Sequence, residues 1–465
     1  MAYPVRKIIL VLIALSAPAV GLTIQEKQPS KPCPALDLIV DPSTDVHAQE
    51  TFKFATAAML KSERFQELDC TADSLRSSKA RFAGGAWKLH TFYTGLEDPL
   101  VGHATEEDWQ GHISRLQRWI AEKPLSITAR VALAKSYGGY AWAARGEGMA
   151  DTVSQSGWKL FGQRLEQARA TLEEAAGLNA KCPEWYVAME MVGTGQGWGV
   201  SEANQLMDKA IAFEPSYYAT YRMHAGFLLP KWHGEDGDTA KFAQEVSDRL
   251  GGPDGDVLYF EIATGVACRC GDDHEASRMS WSRIQKGASE VEKQYGVSLL
   301  NLNQLAYMAL KFHDPILAED TFKRLGDNWD KDTWGTESYY KRVQKWATTA
   351  APQEAHNRAM KQVAEWNLQM PQGAQYKAAF EEKLAPIMQQ CVQKNPENLE
   401  KFDFLVMVGE DGHGDPGFMT HVTPIVECLR QTLAQPTMKP FPRPPRFSYW
   451  ILLELDPVKF IVSAN

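Results

Sequence analysis

The chain has 465 residues, room for two or three domains of ordinary size. With 44% apolar and 23% charged residues it can bury a sizeable core. A formal net charge of −9 and no basic run exclude a general nucleic-acid binder, which needs clustered Lys and Arg against phosphate.

The N-terminus reads as an address. Arg6 and Lys7 precede the apolar run IILVLIALSAPAV, and Ala17 and Ala19 follow at cleavage-site spacing. The run is short against the roughly 20 residues of a membrane span. Residues 1–22 are expected to be a signal peptide, with an uncleaved anchor as the alternative. Residues 23–42 are polar, contain prolines and read as a tether. The product is then exported, periplasmic or secreted. No later apolar stretch is long enough for an integral membrane segment once the signal is removed.

Seven cysteines follow, an odd count that leaves at least one unpaired or joined to another molecule. Cys391 with Cys428 is the first pairing expected and Cys33 with Cys70 the second. Cys268 and Cys270 form C-R-C, which lacks the spacing of a redox or zinc motif.

From residue 43 to about 350 apolar residues recur at three and four, as in Leu116, Trp119 and Ile120, or Leu165, Ala168 and Leu172. That period predicts amphipathic helices. Breaks are short and carry Pro or Gly. In ATLEEAAGLNAKCPEWYVAM and LMDKAIAFEPSYYATY a helix end, a proline and an aromatic cluster follow one another. The two prolines, Pro183 and Pro215, stand about one tetratricopeptide period apart. A small Ala210 precedes the second, where two helices must approach closely. The fold class expected is mostly α, an α-solenoid of tetratricopeptide-like helical hairpins. Residues 351–374 are read as a linker. Residues 375–465 form a small α+β module: a helix over Tyr376–Lys394, a strand FDFLVMVG, the turn EDGHGDPG, a short helix TPIVECLRQTLA and a second strand FSYWILLEL.

Two resemblances rest on these stretches. GGAWKLHTFYTGL, YAWAARGEG and FLLPKWHGEDGD, in that order, resemble exported bacterial tetratricopeptide-like proteins of unknown function, whose hallmark is Leu-Leu-Pro-x-Trp-x-Gly after a tyrosine-rich helix. That likeness spans about residues 51–267 and implies no activity. The segment from about residue 375 to 456 is similar to the C-terminal domain of TonB-type energy transducers, through Asp411, Gly412, Cys428, Leu429, Phe441, Pro442 and Pro445. It implies a small module whose strand pairs with a partner's strand. The chain lacks the transducer's Pro-Lys/Pro-Glu spacer.

The densest group of chemical residues is YYATYRMHAGFLLPKWHGEDGD. One reading makes His224, His233, Glu235, Asp236 and Asp238 a metal or acid/base cluster. The types suit it, but no H-E-x-x-H sets two ligands on one helix face, and no calcium-loop pattern follows. The other reading makes Tyr217, Tyr218, Tyr221 and Phe227 packing residues. Pro230 and Gly234 then turn the chain, and Asp238 caps the next helix. Arg145 and Glu147 beside two glycines offer an anion site, or Arg145 locks a helix end by pairing with a nearby carboxylate. The aromatics Trp185, Tyr186, Tyr217, Tyr218, Tyr221 and Trp232 are the candidates for a protein-binding face. GTGQGWG lacks the Lys and Ser/Thr of a phosphate loop, and no cofactor motif stands out. The reading favoured is a non-enzymatic protein-interaction scaffold of the bacterial envelope, with protein partners on the repeat surface and at the C-terminal module. The alternative is a metal-dependent hydrolase using the region of His224, His233, Glu235 and Asp238.

Overall fold

The computed structural model describes residues 45–461 apart from 147, 270, 398, 420–422, 436 and 447. The expected signal peptide and tether, and Cys33, lie outside the described residues. The protein is mostly helical, with one small antiparallel sheet near the C-terminus.

Helices α1 (Asp45–Lys61) and α2 (Phe65–Ser78) are followed by the short α3 (Lys88–Thr94), and then by α4 (Glu106–Glu122) and α5 (Ile127–Arg145). Capping sets their starts. Thr105 accepts from the Asp108 amide while Asp108 accepts from the Thr105 amide, a capping box that satisfies two otherwise orphan donors. Ser126 does the same one-way service for α5. The apolar faces then meet. Leu116 and Trp119 are fully buried, and Trp119 stacks on Phe65 at 5.8 Å. Next come α6 (Gln155–Ala176), α7 (Glu184–Gln196), α8 (Val200–Phe213), α9 (Tyr218–Phe227), α10 (Asp238–Leu250) and α11 (Gly252–Thr264). Leu165, Ala168 and Leu172 are buried on α6, and Ala210 is buried on α8.

A single π turn, Gly265–Arg269, ends α11. After it run α12 (Asp273–Ser277), α13 (Trp281–Tyr295), α14 (Leu299–Lys311), α15 (Pro315–Leu325), α16 (Lys331–Trp334) and the long α17 (Glu337–Gln369). The stretch read as a linker is thus helical for most of its length, since α17 runs unbroken through Pro352 to Gln369.

The array turns back on its own beginning. The loop between α2 and α3 packs on α9, α13 and the start of α14. Arg81 is its pin: the guanidinium lies 4.9 Å from the Trp87 ring, 4.9 Å from Tyr218 and 5.0 Å from Tyr295. It also donates to the carbonyls of Gly85 and Ser216, each at 3.0 Å. Trp87 Nε1 donates to the same Ser216 carbonyl, and Asn301 donates to Gly84 O.

The C-terminal part holds α18 (Gly373–Lys394), β1 (Phe402–Gly409), β2 (Gly414–Met419), α19 (Pro424–Leu433) and β3 (Ser448–Leu455). The sheet order is β2-β1-β3, all antiparallel, with Phe404 opposite Leu453 and Val406 opposite Ile451. Phe402, Phe404, Val406 and Val408 alternate onto a face covered by Phe380, Leu384 and Met388 of α18 and Ile425 and Leu429 of α19. A disulfide joins Cys391 of α18 to Cys428 of α19. On the other side α17 reaches the sheet through Lys361, 2.9 Å from Asp403, and Asn367, which donates to the Trp450 carbonyl. β2 corrects the expected order of elements. The stretch holding Gly414, Pro416 and Gly417 reads as turn, yet it pairs as an edge strand, where a missing N–H is tolerated. Cys70 is also disulfide-bonded, to a partner outside the described residues.

Candidate functional site

The three stretches GGAWKLHTFYTGL, YAWAARGEG and FLLPKWHGEDGD meet around one groove. A chamber of about 320 Å³ lies at its middle, lined by His90 of α3, Trp142 of α5, Val187 and Met191 of α7, and Arg222, Met223 and Phe227 of α9, with Trp232 at the edge. The chamber shares Trp142 and Trp232 with an outer cleft of about 1160 Å³ that also holds Arg145, Met149 and Lys231. It shares His90 and Arg222 with a cavity of about 880 Å³ on the other side, between α1, α3 and the α14–α16 region. The three cavities thus follow one another, sharing wall residues, from Trp232 past the chamber to Gln304 and Asp330.

Behind His90 lies a buried charge network. Glu184, the first residue of α7, is fully buried and carries three partners. Lys135 Nζ lies 2.5 Å from Oε1, Tyr217 donates to Oε2 at 2.5 Å, and His90 Nδ1 is 3.0 Å from Oε2. Lys135 also reaches Glu97 at 3.3 Å. Burial alone would raise the Glu184 carboxyl. The charges and hydrogen bonds of Lys135 and His90 outweigh it and bring the group down to about 2. Burial lowers Lys135, but Glu184 and Glu97 raise it more, so the ammonium stays charged. The Tyr217 phenol is pushed well up by burial and by Glu184. A carboxylate only accepts, so His90 Nδ1 carries the hydrogen toward Glu184. That fixes the ring of a side chain that lines both the chamber and the 880 Å³ cavity, the way an orienting carboxylate holds an imidazole.

Arg222 is oriented similarly. Its Nη1 is 3.2 Å from Glu261 Oε2, and that carboxylate is nearly buried behind it. A Cβ at Gly265, the first residue of the π turn, would lie 3.3 Å from Arg222 Nε. The glycine therefore gives the guanidinium its room, and the π turn, a common device at working sites, sits where two cavities join.

The residues singled out in the sequence go elsewhere in part. Tyr217, Tyr218 and Tyr221 are buried: Tyr217 on Glu184, Tyr218 under Arg81, and Tyr221 donating to Pro215 O at 3.0 Å. Trp185 is half-buried and donates to Leu172 O, and Tyr186 packs edge-on against it. Of the six aromatics, Trp232 lines the groove, 38% exposed and edge-to-face with Trp142 at 5.5 Å. Arg145 spends its donors on Gly146 O and Gly148 O and lies 5.6 Å from both Trp142 and Trp158. It locks its own helix end; Glu147 lies outside the described residues.

The proposed metal group does not converge. His224 is buried with Nδ1 2.5 Å from Glu190 and Nε2 2.9 Å from Asn204 Oδ1, so neither nitrogen is open. His233 donates Nε2–H to Thr194 O and stacks on Phe227. Asp238 opens α10 but reaches back to the Glu235 amide, closing the turn rather than capping the helix as expected. Gly234 has Leu228 O where its Cβ would stand, at 2.0 Å, and Gly237 takes φ +89°, so both are turn glycines of necessity. Asp236 alone of that group joins a cluster, with His274 and Glu275. The Arg278 guanidinium lies among those three, 3.1 Å from Asp236, 2.9 Å from His274 Nε2 and 3.2 Å from Glu275, and supplies the positive charge there itself.

No helix among the described residues is long and apolar enough to cross a membrane. Comparisons of the chain with protein-family models, with curated proteins and with solved structures find no match.

Proposed function

We propose that the protein is a binding scaffold of the bacterial envelope, a tetratricopeptide-like helical array that holds a protein segment in the groove between Trp232 and Gln304. The observation that carries this is the convergence of three separated sequence stretches on adjoining cavities whose polar lining groups, His90 and Arg222, are held by buried partners. Binding sites of this type are largely apolar with a few fixed polar groups. The C-terminal α+β module, which resembles TonB in sequence through its D-G turn and proline bend, is the second contact. Its sheet has two edges, but Asn367 of α17 already takes the Trp450 carbonyl on β3. Strand addition is therefore expected at β2 or at the ends of β3.

The test is site-specific photo-cross-linking in the native envelope, with the photoreactive residue at Trp232 or, as control, at Trp185. A protein captured from Trp232 and not from Trp185 supports the groove. Equal capture from both, or none, sinks it.

One geometry supports an enzyme as the second reading, and it is the His90–Glu184 pair rather than the His224 region. An imidazole with one nitrogen on a buried carboxylate, on a side chain that lines a cavity, suits general acid–base work. A hydrolytic activity lost in His90→Gln and kept in His224→Gln would put this reading first.

A further inference from the structure

We propose that the 320 Å³ chamber binds a carboxylate carried on an apolar body. This rests on the reading of the groove as a binding site and names what its middle recognises. The walls are apolar: Trp142, Val187, Met191, Met223, Phe227 and Trp232. The polar groups are confined to His90, Arg222 and Thr194, and Arg222 is the one permanent charge among the lining residues. The two carboxylates that orient the first two groups stand behind them and do not line the chamber. Ligand therefore meets a guanidinium and an imidazole edge without meeting their counter-ions.

A guanidinium presents a planar fork that matches a carboxylate, and Glu261 leaves part of that fork unspent. A single fixed positive charge in an apolar chamber suits a monoanion better than a phosphate dianion, which asks for more donors. An amine is repelled by Arg222. The volume holds on the order of ten non-hydrogen atoms, taking roughly 30 Å³ for each water-sized unit. An aryl- or alkyl-carboxylate of that size fits, with its body against the Trp142–Trp232 pair, Met191 and Phe227. Two sources have this chemistry: a free acid, and the C-terminal residue of a bound protein segment with an apolar side chain.

Isothermal titration of the full chain separates the possibilities. The probes are 4-phenylbutyrate, its neutral amide 4-phenylbutanamide, and 4-phenylbutylamine, at low salt and up to about 1 mM, where even weak binding is measurable. The acid is expected to bind about tenfold or more tighter than the amide, the size of one charge-assisted hydrogen bond. The amine is expected not to bind. Arg222→Gln should lose that preference and keep the amide's weak affinity, while Arg222→Lys, which retains the charge opposite Glu261, should recover part of it. Matching melting temperatures for the two variants exclude a folding defect. Trp232→Ala should weaken acid and amide alike. A tetrapeptide ending in phenylalanine, compared with its C-terminal amide, distinguishes the sources. Tighter binding by the free-ended peptide than by 4-phenylbutyrate assigns the site to a protein C-terminus, and the reverse assigns it to a small acid.

Equal affinity for acid and amide overturns the proposal, as does undiminished acid binding in Arg222→Gln, or no heat with any probe. If those probes fail while Trp232 still cross-links a partner, the carboxylate inference falls and the groove reading stands. If both fail, both fall.

Discussion

Helix α7 carries a buried glutamate at each of two positions, and each grips a histidine, yet the two ends differ in kind. At Glu190 the pair is closed. His224 has a carboxylate on one nitrogen and an amide oxygen on the other, with Phe227 and Phe242 against its ring. Burial raises the Glu190 carboxyl, and the hydrogen bond and charge of His224 only partly offset it. At Glu184 the pair is open. Lys135 and Tyr217 join His90 on one carboxylate, the carboxyl is held low, and His90 lines two cavities. The residue types are the same. What separates a structural plug from a candidate binding group is the added cation and the cavity on the far side of the ring.

The largest effect expected is on the open pair's supporting cation. Lys135→Met leaves Glu184 buried without its strongest partner, and about 3–5 kcal/mol of stability should be lost in denaturant unfolding. A loss below about 1 kcal/mol would mean that water or His90 already compensates the carboxylate.

The pH dependence should differ in sign between the two ends. Glu184 has a folded value below the ordinary 4.5, so its contribution is present above 4.5 and is lost as the pH falls toward about 2. That amounts to about 3 kcal/mol. Glu190 has a raised value, so its contribution is full below 4.5 and declines as the pH rises through the folded value. Stability measured against pH should therefore lose part of its acid limb in Glu184→Gln. In Glu190→Gln it should gain relative to the parent as the pH rises above 4.5. The same sign in both variants would break the contrast.

Smaller again are the histidines themselves. His224→Gln loses ring packing and one charged hydrogen bond and should cost about 2–3 kcal/mol. His90→Gln leaves Lys135 and Tyr217 on Glu184 and should cost about 1 kcal/mol. Thermal or denaturant unfolding of the two variants side by side checks the order.

Much of the frame is legible in the chain. Thr105, Ser126 and the apolar spacing of Leu116 and Trp119 announce helices, because caps and periodicity are local properties. FDFLVMVG and FSYWILLEL announce strands for the same reason. The strand β2 is not legible, since Gly414, Pro416 and Gly417 have turn propensity and are held extended by pairing with β1. The candidate groove is legible only in pieces. Its three stretches stand out singly, but a lone His90 in a short helix has no spacing partner in sequence; its carboxylate is 94 residues away. One signal was present: α7 reads EWYVAMEMVGTGQ, and two glutamates inside so apolar a helix must be buried and must find partners. The cluster at His224–Asp238 misled by density. Its histidines share the Phe227 ring, but their nitrogens turn to different partners, Glu190 and Asn204 for His224 and the Thr194 carbonyl for His233.

The contrast between the two histidines can be measured directly with diethyl pyrocarbonate, which acylates an accessible imidazole nitrogen. Mass spectrometry of the folded protein would then locate the modified rings. The account predicts acylation of His90, suppressed when the groove is filled, and none of His224 until the protein unfolds. Equal reactivity of the two, or a protected His90 in the unliganded protein, would contradict it.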